Sequence, residues 1–380
     1  MFERSFYFCE KFKIMRIFAL ILIAALAFSC NSESQQANDE NTDNTTAESP
    51  DTLVYEGETH FKHVRQLTDG GNNAEAYFSF DGSQLVFQSD FSGWGVECDQ
   101  IFHMPITGYE GDQPPMLSTG KGRTTCSYFL PGDSLIVYAS THLGAEECPE
   151  TPRTVNGKYV WAVYDSYDIF VADLEGNIVQ QLTDTPGYDA EATVSPDGQK
   201  IVFTSTRSGD LELYTMNIDG SDVRQITDGL GYDGGAFFSP DSEKSSFRAS
   251  RPETAEEQQV YKDLLAQGLV QPTDMEIFVC NADGSDLQQI TDLGGANWAP
   301  FFHPSGEKVL FASNHHTEGG RVFNIFSINV DGTGLTQITF DEVFDSFPMF
   351  SPDGTKIVFA SNRNNGGTRD TNVFVADWVE

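Results

Sequence analysis

A short strand ending, Gln followed by Leu or Ile and then Thr, recurs along the whole chain and constrains its fold more than any other feature. It ends at Thr68, Thr183, Thr227, Thr291 and Thr339, and a degenerate copy stands at Leu117-Ser118. The six copies define a unit of roughly 44 residues, with extra material in the second and fourth units. Self-similarity at this period is the sequence signature of propeller blades with four strands each.

Tight turns divide each unit into strands. In the third unit, Pro196-Asp197-Gly198 separates two apolar runs and Asp219-Gly220 precedes the last one. Asp-Gly between apolar alternations is a strong hairpin signal, because glycine accepts the positive φ that the turn needs. The second strand repeats as Ile201-Val202-Phe203 and, in the sixth unit, as Ile357-Val358-Phe359. The chain is therefore predicted to be all-β.

These motifs resemble the WD-like repeats of TolB-type β-propellers, a plan also found in the propeller domains of the tricorn protease and of prolyl-oligopeptidase-type peptidases. The resemblance covers roughly residues 60 to 380. It implies a six-bladed β-propeller, but it carries little about function, since one fold hosts many activities.

The two ends of the repeat region are complementary. Asn372 to Trp378 reads as a third strand with no fourth strand after it, whereas Phe61 to Thr68 reads as a fourth strand with no blade before it. We therefore expect the N-terminal strand to complete the last blade and so close the ring, which removes exposed sheet edges.

The N-terminal region resembles a bacterial lipoprotein signal. Residues 1–29 contain a cationic start and a short apolar run that ends at Cys30, the expected site of lipid attachment. An ordinary secretory signal is the alternative. Residues 30–52 are polar and predict a flexible tether, and residues 53–380 form the predicted propeller. This organisation predicts a lipid-anchored protein of the bacterial cell envelope, periplasmic or at the outer membrane, with surface exposure as an alternative.

The charge and the cysteines narrow the possible partners and the compartment. Lys and Arg total 22 against 57 Asp and Glu, a net charge of −35, which disfavours nucleic acid and anionic lipid surfaces. Contact with the membrane is expected only through the anchor, and the protein is expected to be a monomer. A disulfide is predicted among Cys98, Cys126 and Cys148, with the pairing open, and Cys280 is predicted to be a buried thiol.

The extra material of the second and fourth units is predicted to decorate one face of the ring. It spans about His142 to Asp165 and Pro252 to Thr273, and both segments connect a second strand to a third. Glu256 to Gly268 has helical periodicity. Second-to-third loops lie on the same face as the loops that lead into the innermost strands, and loops on a rigid scaffold are where binding residues concentrate.

Three groups of residues on that face are candidate binding residues. The first should line the mouth of the channel and could hold Ca²⁺ or another divalent cation, grip a cationic or amino-terminal group, or only satisfy turn backbone: Glu75, Asp189, Glu191, Asp233, Asn297 and Asp345. The second could be channel ligands or bases, or could form salt bridges between blades: His142, His303, His315, Arg207, Arg251 and Arg363. The third predicts an aromatic platform that is exposed for a sugar or peptide or partly buried: Tyr159, Trp161 and Tyr164.

No catalytic residue is predicted, because no nucleophile elbow, zinc-binding helix or phosphate-binding loop occurs in the sequence. The leading hypothesis is a non-enzymatic envelope scaffold that binds a protein, a peptide or an envelope glycan on its decorated face. One alternative is a metal-assisted lyase or hydrolase of oligosaccharides, since oligogalacturonate lyases are propellers that resemble this plan and hold a metal with channel histidines. A propeller that filters substrates for a separate peptidase is the other.

Overall fold

The computed structural model describes residues 51–318 and 320–380. The predicted signal, Cys30 and nearly all of the predicted tether lie outside the described residues. Within the described ranges, no helix is long and apolar enough to cross a membrane.

The described chain forms a six-bladed β-propeller, as the sequence predicts. The strands that precede and form blades 1 and 2, including an insertion, are β1 (Phe61–Gln66), β2 (Asn73–Phe78), β3 (Gln84–Ser89), β4 (Gln100–Pro105), β5 (Thr124–Phe129), β6 (Leu135–Ser140), β7 (Thr154–Val155), β8 (Lys158–Tyr159), β9 (Trp161–Ala162), β10 (Asp168–Asp173) and β11 (Ile178–Gln181). Blades 3 and 4 contain β12 (Asp189–Val194), β13 (Lys200–Ser205), β14 (Glu212–Asn217), β15 (Arg224–Gln225), β16 (Asp233–Phe238), β17 (Lys244–Ser250), helix α1 (Ala255–Leu265), β18 (Leu269–Val270), β19 (Met275–Asn281) and β20 (Gln288–Gln289). Blades 5 and 6 contain β21 (Asn297–Phe302), β22 (Lys308–Ser313), β23 (Asn324–Asn329), β24 (Thr336–Gln337), β25 (Asp345–Phe350), β26 (Lys356–Ser361) and β27 (Asn372–Trp378).

The N-terminal strand closes the ring, which confirms the prediction from the chain ends. Strand β1 pairs antiparallel with β27, with Phe61 opposite Trp378 and Gln66 opposite Phe374. The His60 ring also stacks on Trp378, with the ring centroids 4.8 Å apart. Blade 6 is thus built from both ends of the repeat region.

The core lies between neighbouring blades and is filled by the second strands. Each second strand places an aromatic side chain in the interior, and these six side chains are fully buried: Phe87, Tyr138, Phe203, Phe247, Phe311 and Phe359. Their repetition explains the recurring apolar triplet in the sequence. Truncating one of them to alanine removes packing worth about 3–5 kcal/mol.

Every innermost strand carries a β-bulge at its third residue. The register shifts there in all six blades, and the third residue has a positive φ between 46° and 60°. These residues are Glu75, Cys126, Glu191, Gly235, Ala299 and Phe347. A non-glycine residue in this region costs energy, and such strain is typical of sites where a side chain is re-aimed. We call these six positions the bulge ring.

The two insertions meet above the ring. Strand β9, from the blade 2 insertion, pairs with β18, from the blade 4 insertion, with Trp161 opposite Val270. Helix α1 precedes β18, close to the predicted helical range, and begins with a capping box in which Thr254 and Glu257 satisfy each other's backbone N–H groups. The insertions therefore form a joint cap that passes over blade 3.

One disulfide lies at the edge of this cap. It joins Cys98, in the second-to-third loop of blade 1, to Cys148 in the blade 2 insertion. Cys126 and Cys280 are free and buried. The disulfide expected among the first three cysteines is thus present, and it fastens the blade 2 insertion to blade 1.

Candidate functional site

A cavity of about 580 Å³ lies beneath the cap, between the insertions and the innermost strands. The cap contributes Trp161, Tyr164 and Val270 to its wall, and the blades contribute residues of the bulge ring. The cavity therefore combines one wall from the inserted segments with another from the repeated scaffold.

Stacked aromatic rings hold the cap over blade 5. The Trp161 ring stacks on Trp298 with centroids 5.1 Å apart, and Trp298 stacks on Phe323 at 4.6 Å. The backbone N–H of Val163 donates to the carbonyl of Gly268 at 2.7 Å and extends the pairing of the two insertions. These contacts hold the cap in place through residues of blades 2, 4 and 5.

The structure also gives the position of the predicted aromatic platform. Tyr159, Trp161 and Tyr164 all line the cavity. Tyr159 is 51% exposed and its hydroxyl accepts from Trp161 Nε1 at 3.1 Å, whereas Tyr164 donates to the Glu150 carbonyl at 2.9 Å. A ligand-binding role for these side chains stays a prediction.

A buried ion pair forms the first polar cluster of the cavity. Glu191 pairs with Arg248 and accepts hydrogen bonds from the Tyr232 hydroxyl at 2.8 Å and from Thr204 Oγ1 at 2.7 Å. Burial alone would raise the pKa of Glu191, but Arg248 and these hydrogen bonds outweigh it and hold the pKa below its usual value. Glu191 is thus a charged and fully partnered carboxylate.

Arg248 fills the space left by glycine in the bulge ring. A Cβ atom at Gly235 would overlap Arg248 Nη1, so the guanidinium occupies the volume that a side chain of blade 4 would take. Arg248 lies over the Tyr232 ring at 5.0 Å and the Trp161 ring at 5.3 Å. Its charge is used by Glu191 and by two aromatic faces.

Glu75, the blade 1 member of the bulge ring, is in a different situation. Its Oε2 atom is shielded from solvent and has no hydrogen-bond partner among the described residues. Burial raises the pKa of Glu75 to about 7, an effect that a hydrogen bond with the neighbouring Cys126 thiol partly offsets. Burial also raises the pKa of Cys126 well above its usual value, so this thiol is not an activated nucleophile.

The four other predicted channel-mouth residues, Asp189, Asp233, Asn297 and Asp345, lie away from the cavity wall. Each is the first residue of an innermost strand and is almost completely buried. Glu75 and Glu191 of this group thus line the same cavity. The other four residues lie two positions before the bulge-ring residue of their own strand, outside the cavity wall. Ligand binding by these residues stays a prediction.

The predicted arginines pair with these aspartates. Arg207 donates to both carboxylate oxygens of Asp189, at 2.9 and 2.8 Å, and Arg251 pairs with Asp233 in the same way one blade further on. The partners are 18 residues apart and belong to one blade. The salt bridges therefore exist, but they link strands of the same blade, whereas the sequence suggested links between blades.

Arg363 is the most heavily engaged of the three arginines. Its completely buried guanidinium donates to Asp345 at 3.0 Å, to both oxygens of Glu58 and to the Leu53 carbonyl, and it lies 3.3 Å from Asp341. Glu58, Asp341 and Asp345 are close enough together to hold a cation, and the guanidinium is that cation. This cluster fastens the segment before β1 to blade 6.

The three predicted histidines are held in separate places. His142 bonds Ser140 Oγ at 2.9 Å in blade 2, and His315 bonds Ser313 Oγ at 2.7 Å in blade 5. His303 lies in a first-to-second-strand turn, on the opposite face, and bonds Ser305 Oγ at 3.0 Å. None of them is among the described residues that line the cavity. A shared metal site is therefore not assembled from them in this arrangement.

Sequence reasoning missed Cys126, Arg248, Tyr77 and Gln88 as residues of the cavity wall. A signal was available, because Cys126 occupies the same place in its unit as Glu75 and Glu191. Gln88 and Arg248 likewise both follow the aromatic residue of a second strand. Comparing units position by position would have found the wall residues that the blades contribute.

Comparisons with known proteins agree with the architecture. The family model for the TolB beta propeller domain matches residues 151–260 and 270–371, which is more than half of the chain. No match was found among curated protein sequences.

Solved structures resemble this chain at low sequence identity. A protein assigned as TolB from Agrobacterium tumefaciens is 20% identical, with a TM-score of 0.53 over 82% of this chain and 91% of that one. TolB from Acinetobacter baumannii is 18% identical, with a TM-score of 0.49 over 81% of this chain and 63% of that one. An oligogalacturonate lyase from Vibrio parahaemolyticus is 12% identical, with a TM-score of 0.48 over 84% and 94% of the two chains. On the match to its family model and on its six blades, this chain belongs to the TolB beta-propeller family.

Proposed function

We propose that the protein is a non-enzymatic binding scaffold of the cell envelope, anchored through lipid at Cys30. Its capped face binds a protein, a peptide or an envelope glycan. The observation that carries this proposal is the roofed cavity, since two insertions from non-adjacent blades pair with each other to enclose a space that the six repeats alone would leave open.

The size of the cavity indicates what part of a partner enters it. A volume of about 580 Å³ lies in the range of small-ligand sites. It accommodates one or two residues of a peptide or one sugar ring, so a larger partner would insert a terminus or a side chain and contact the loops outside. Aromatic walls such as Trp161 and Trp298 suit either kind of ligand by stacking.

The polar groups of the cavity favour binding over catalysis. Glu191 is locked in an ion pair with Arg248, and the Cys126 thiol is held neutral by burial. The histidines that a metal-assisted enzyme would use are bonded to serines elsewhere in their blades. These arrangements support a shaped and pre-formed site better than a reacting one.

The test is a comparison of variants in native mass spectrometry. The purified protein would be mixed separately with a pool of short peptides and a pool of envelope oligosaccharides. We expect wild type to retain members of one pool without changing their mass, and Trp161→Ala to lose that retention. Leu143→Ala, at a side chain that is 60% exposed, serves as the control and should retain them. Chemical conversion of a pool, or retention unaffected by Trp161→Ala, would contradict the proposal.

A further inference from the structure

The charges that line the cavity do not balance on its buried side. Seven carboxylate and guanidinium side chains line it, and four of them form two ion pairs, Glu191 with Arg248 and Asp99 with Arg123. Arg153 is exposed on the cap and Asp90 accepts hydrogen bonds from Asn72. Glu75 remains: it is half-buried, its Oε2 atom is shielded from solvent without a partner, and the nearest guanidinium, that of Arg248, is already paired with Glu191.

The position of Glu75 is maintained against two costs. Its backbone has a φ of 52°, which is strained for a residue with a side chain, and its Oε2 atom is buried without a partner. Folding alone would favour an apolar or small residue here, as in Ala299 of blade 5 and Phe347 of blade 6. No contact within the described protein compensates for these two costs. We therefore expect the Glu75 carboxylate to find its partner in a ligand.

The rings around the cavity are suited to a cation. Tyr77, Tyr188 and Tyr232 line it, and burial raises the pKa of each phenol, so all three stay neutral. Arg248 already lies over two of the aromatic rings of this wall, Tyr232 and Trp161. Aromatic faces combined with a carboxylate are the surroundings that proteins use to bind organic ammonium groups.

We propose that the cavity binds an aliphatic ammonium group of its ligand, which forms a salt bridge with Glu75 and packs against the aromatic wall. This inference rests on the proposed function, in which a terminus or side chain of a partner enters the cavity. The ammonium can come from a peptide amino terminus or from a lysine side chain. An anionic ligand would meet Glu75, Glu191 and a net charge of −35, so it is disfavoured.

The pH dependence of ligand affinity distinguishes two ways in which Glu75 could bind a ligand. Ionised Glu75 would bind an ammonium group, whereas protonated Glu75 would donate a hydrogen bond to a neutral acceptor. The ionisable groups that face Glu75 are Cys126, Glu191, Arg248 and Asp99. Glu191 and Asp99 are paired with Arg248 and Arg123, and Cys126 stays neutral. Glu75, whose pKa is raised to about 7, is therefore the carboxylate expected to control binding near pH 7. Ammonium binding should weaken about tenfold per pH unit below about 7 and level off above it until the ligand amine itself loses its proton, whereas neutral-acceptor binding should strengthen as the pH falls.

The experiment uses three matched peptides and isothermal titration calorimetry on the purified protein at pH 8. The first peptide is Ala-Ala-Phe amide with a free amino terminus, the second is the same peptide N-acetylated, and the third is N-acetyl-Ala-Lys-Phe amide. We expect the first or the third peptide to bind at least tenfold more tightly than the second, and the one that does identifies the source of the ammonium. Glu75→Gln should abolish the difference.

Glu147→Gln is the matched control, since it removes the same charge from an exposed position outside the cavity wall. Equal weakening by Glu75→Gln and Glu147→Gln would reduce the effect to the overall negative charge and overturn the inference. Equal binding of all three peptides, or binding of an oligosaccharide in their place, would overturn it while the proposed binding function stands. Failure of peptides and oligosaccharides alike would remove both.

Discussion

The first and third residues of the innermost strands lie two positions apart and serve different purposes. At the first position, Asp189 and Asp233 are each bound by an arginine of their own blade, 18 residues later. At the third position, Glu191 reaches Arg248 of the next blade, and Glu75 has no partner for its Oε2 atom. We call the first positions the first layer. In blades 3 and 4 its carboxylates are paired inside their own blade, whereas Glu191 and Glu75 of the bulge ring are not.

Under the proposed function, this difference separates residues that stabilise the fold from residues that bind a ligand within one repeated strand. Where the first residue is Asp in blades 3, 4 and 6, the residue 18 positions later is Arg; for Thr124 and Asn297 that residue is a histidine, and for Asn73 it is Phe91. Asp and Arg therefore occur together at these two positions, as expected for a pair that bonds directly. The bulge ring keeps its backbone in all six blades while its side chains differ, as expected for a position that shapes a single site.

The largest expected effect is at the first layer. Arg363→Ala should lower the free energy of unfolding by about 3–5 kcal/mol, because it leaves several buried carboxylates without a counter-charge. Arg207→Ala should cost less, since Arg207 is 17% exposed and serves one carboxylate. Urea denaturation of both variants measures the difference. Equal losses would show that the closing cluster is no more important than an ordinary blade pair.

A smaller effect is expected in the bulge ring at blade 4. Gly235→Ala should cost about 2–3 kcal/mol, because the new Cβ displaces Arg248 and the residue has a φ of 60°. Gly366→Ala is the control for backbone strain alone, since its φ is 65° and no atom lies within 4 Å of the added Cβ; about 1 kcal/mol is expected there. Thermal denaturation of the two variants would contradict the packing argument if both lost the same stability.

Loss of the aromatic stack should increase hydrogen exchange in the cap and leave the blades unchanged. Trp161→Ala removes a stacked pair worth about 0.5–1.5 kcal/mol, so the Val163 amide, bonded to Gly268, should exchange its hydrogen up to about tenfold faster. Amides of the second strands should exchange as in wild type. Lys158→Ala, at an exposed side chain of the same segment, is the control. Faster exchange throughout the propeller would instead mean that the cap supports the fold.

The fold was largely predictable, because its signals repeat within each unit. The blade number, the pairing of β1 with β27 and helix α1 all follow from strand and turn patterns. The pairing of the two insertions in the cap could not be predicted from the sequence. The strands that contain Trp161 and Val270 belong to insertions that do not repeat, so no periodic signal marks their pairing. The bulges were also missed. Gly and Asn are the usual sequence signals of a positive φ, and Glu75 and Glu191 adopt a positive φ without that signal.

The most direct test of the division into two layers is the stability of wild type and Glu75→Gln between pH 5 and pH 8. The pKa of Glu75 is raised to about 7 in the folded protein, above its usual value, so the unfolded chain loses this proton at lower pH than the folded one. Stability contributed by this group therefore falls as the pH rises, by up to about 1.4 kcal/mol per pH unit, and stops falling above about pH 7. Buried Glu212 and Asp341, with pKa values raised to about 8, act in the same direction in both proteins and cancel in the difference.

We predict that Glu75→Gln is the more stable protein at pH 8 and that its advantage shrinks toward pH 5. Asp345→Asn, in the first layer, should be less stable than wild type at pH 8, because Arg363 loses a charged partner. A Glu75→Gln protein that is less stable than wild type at pH 8, by as much as Asp345→Asn, would show that Glu75 stabilises the fold and would contradict its assignment to the binding site.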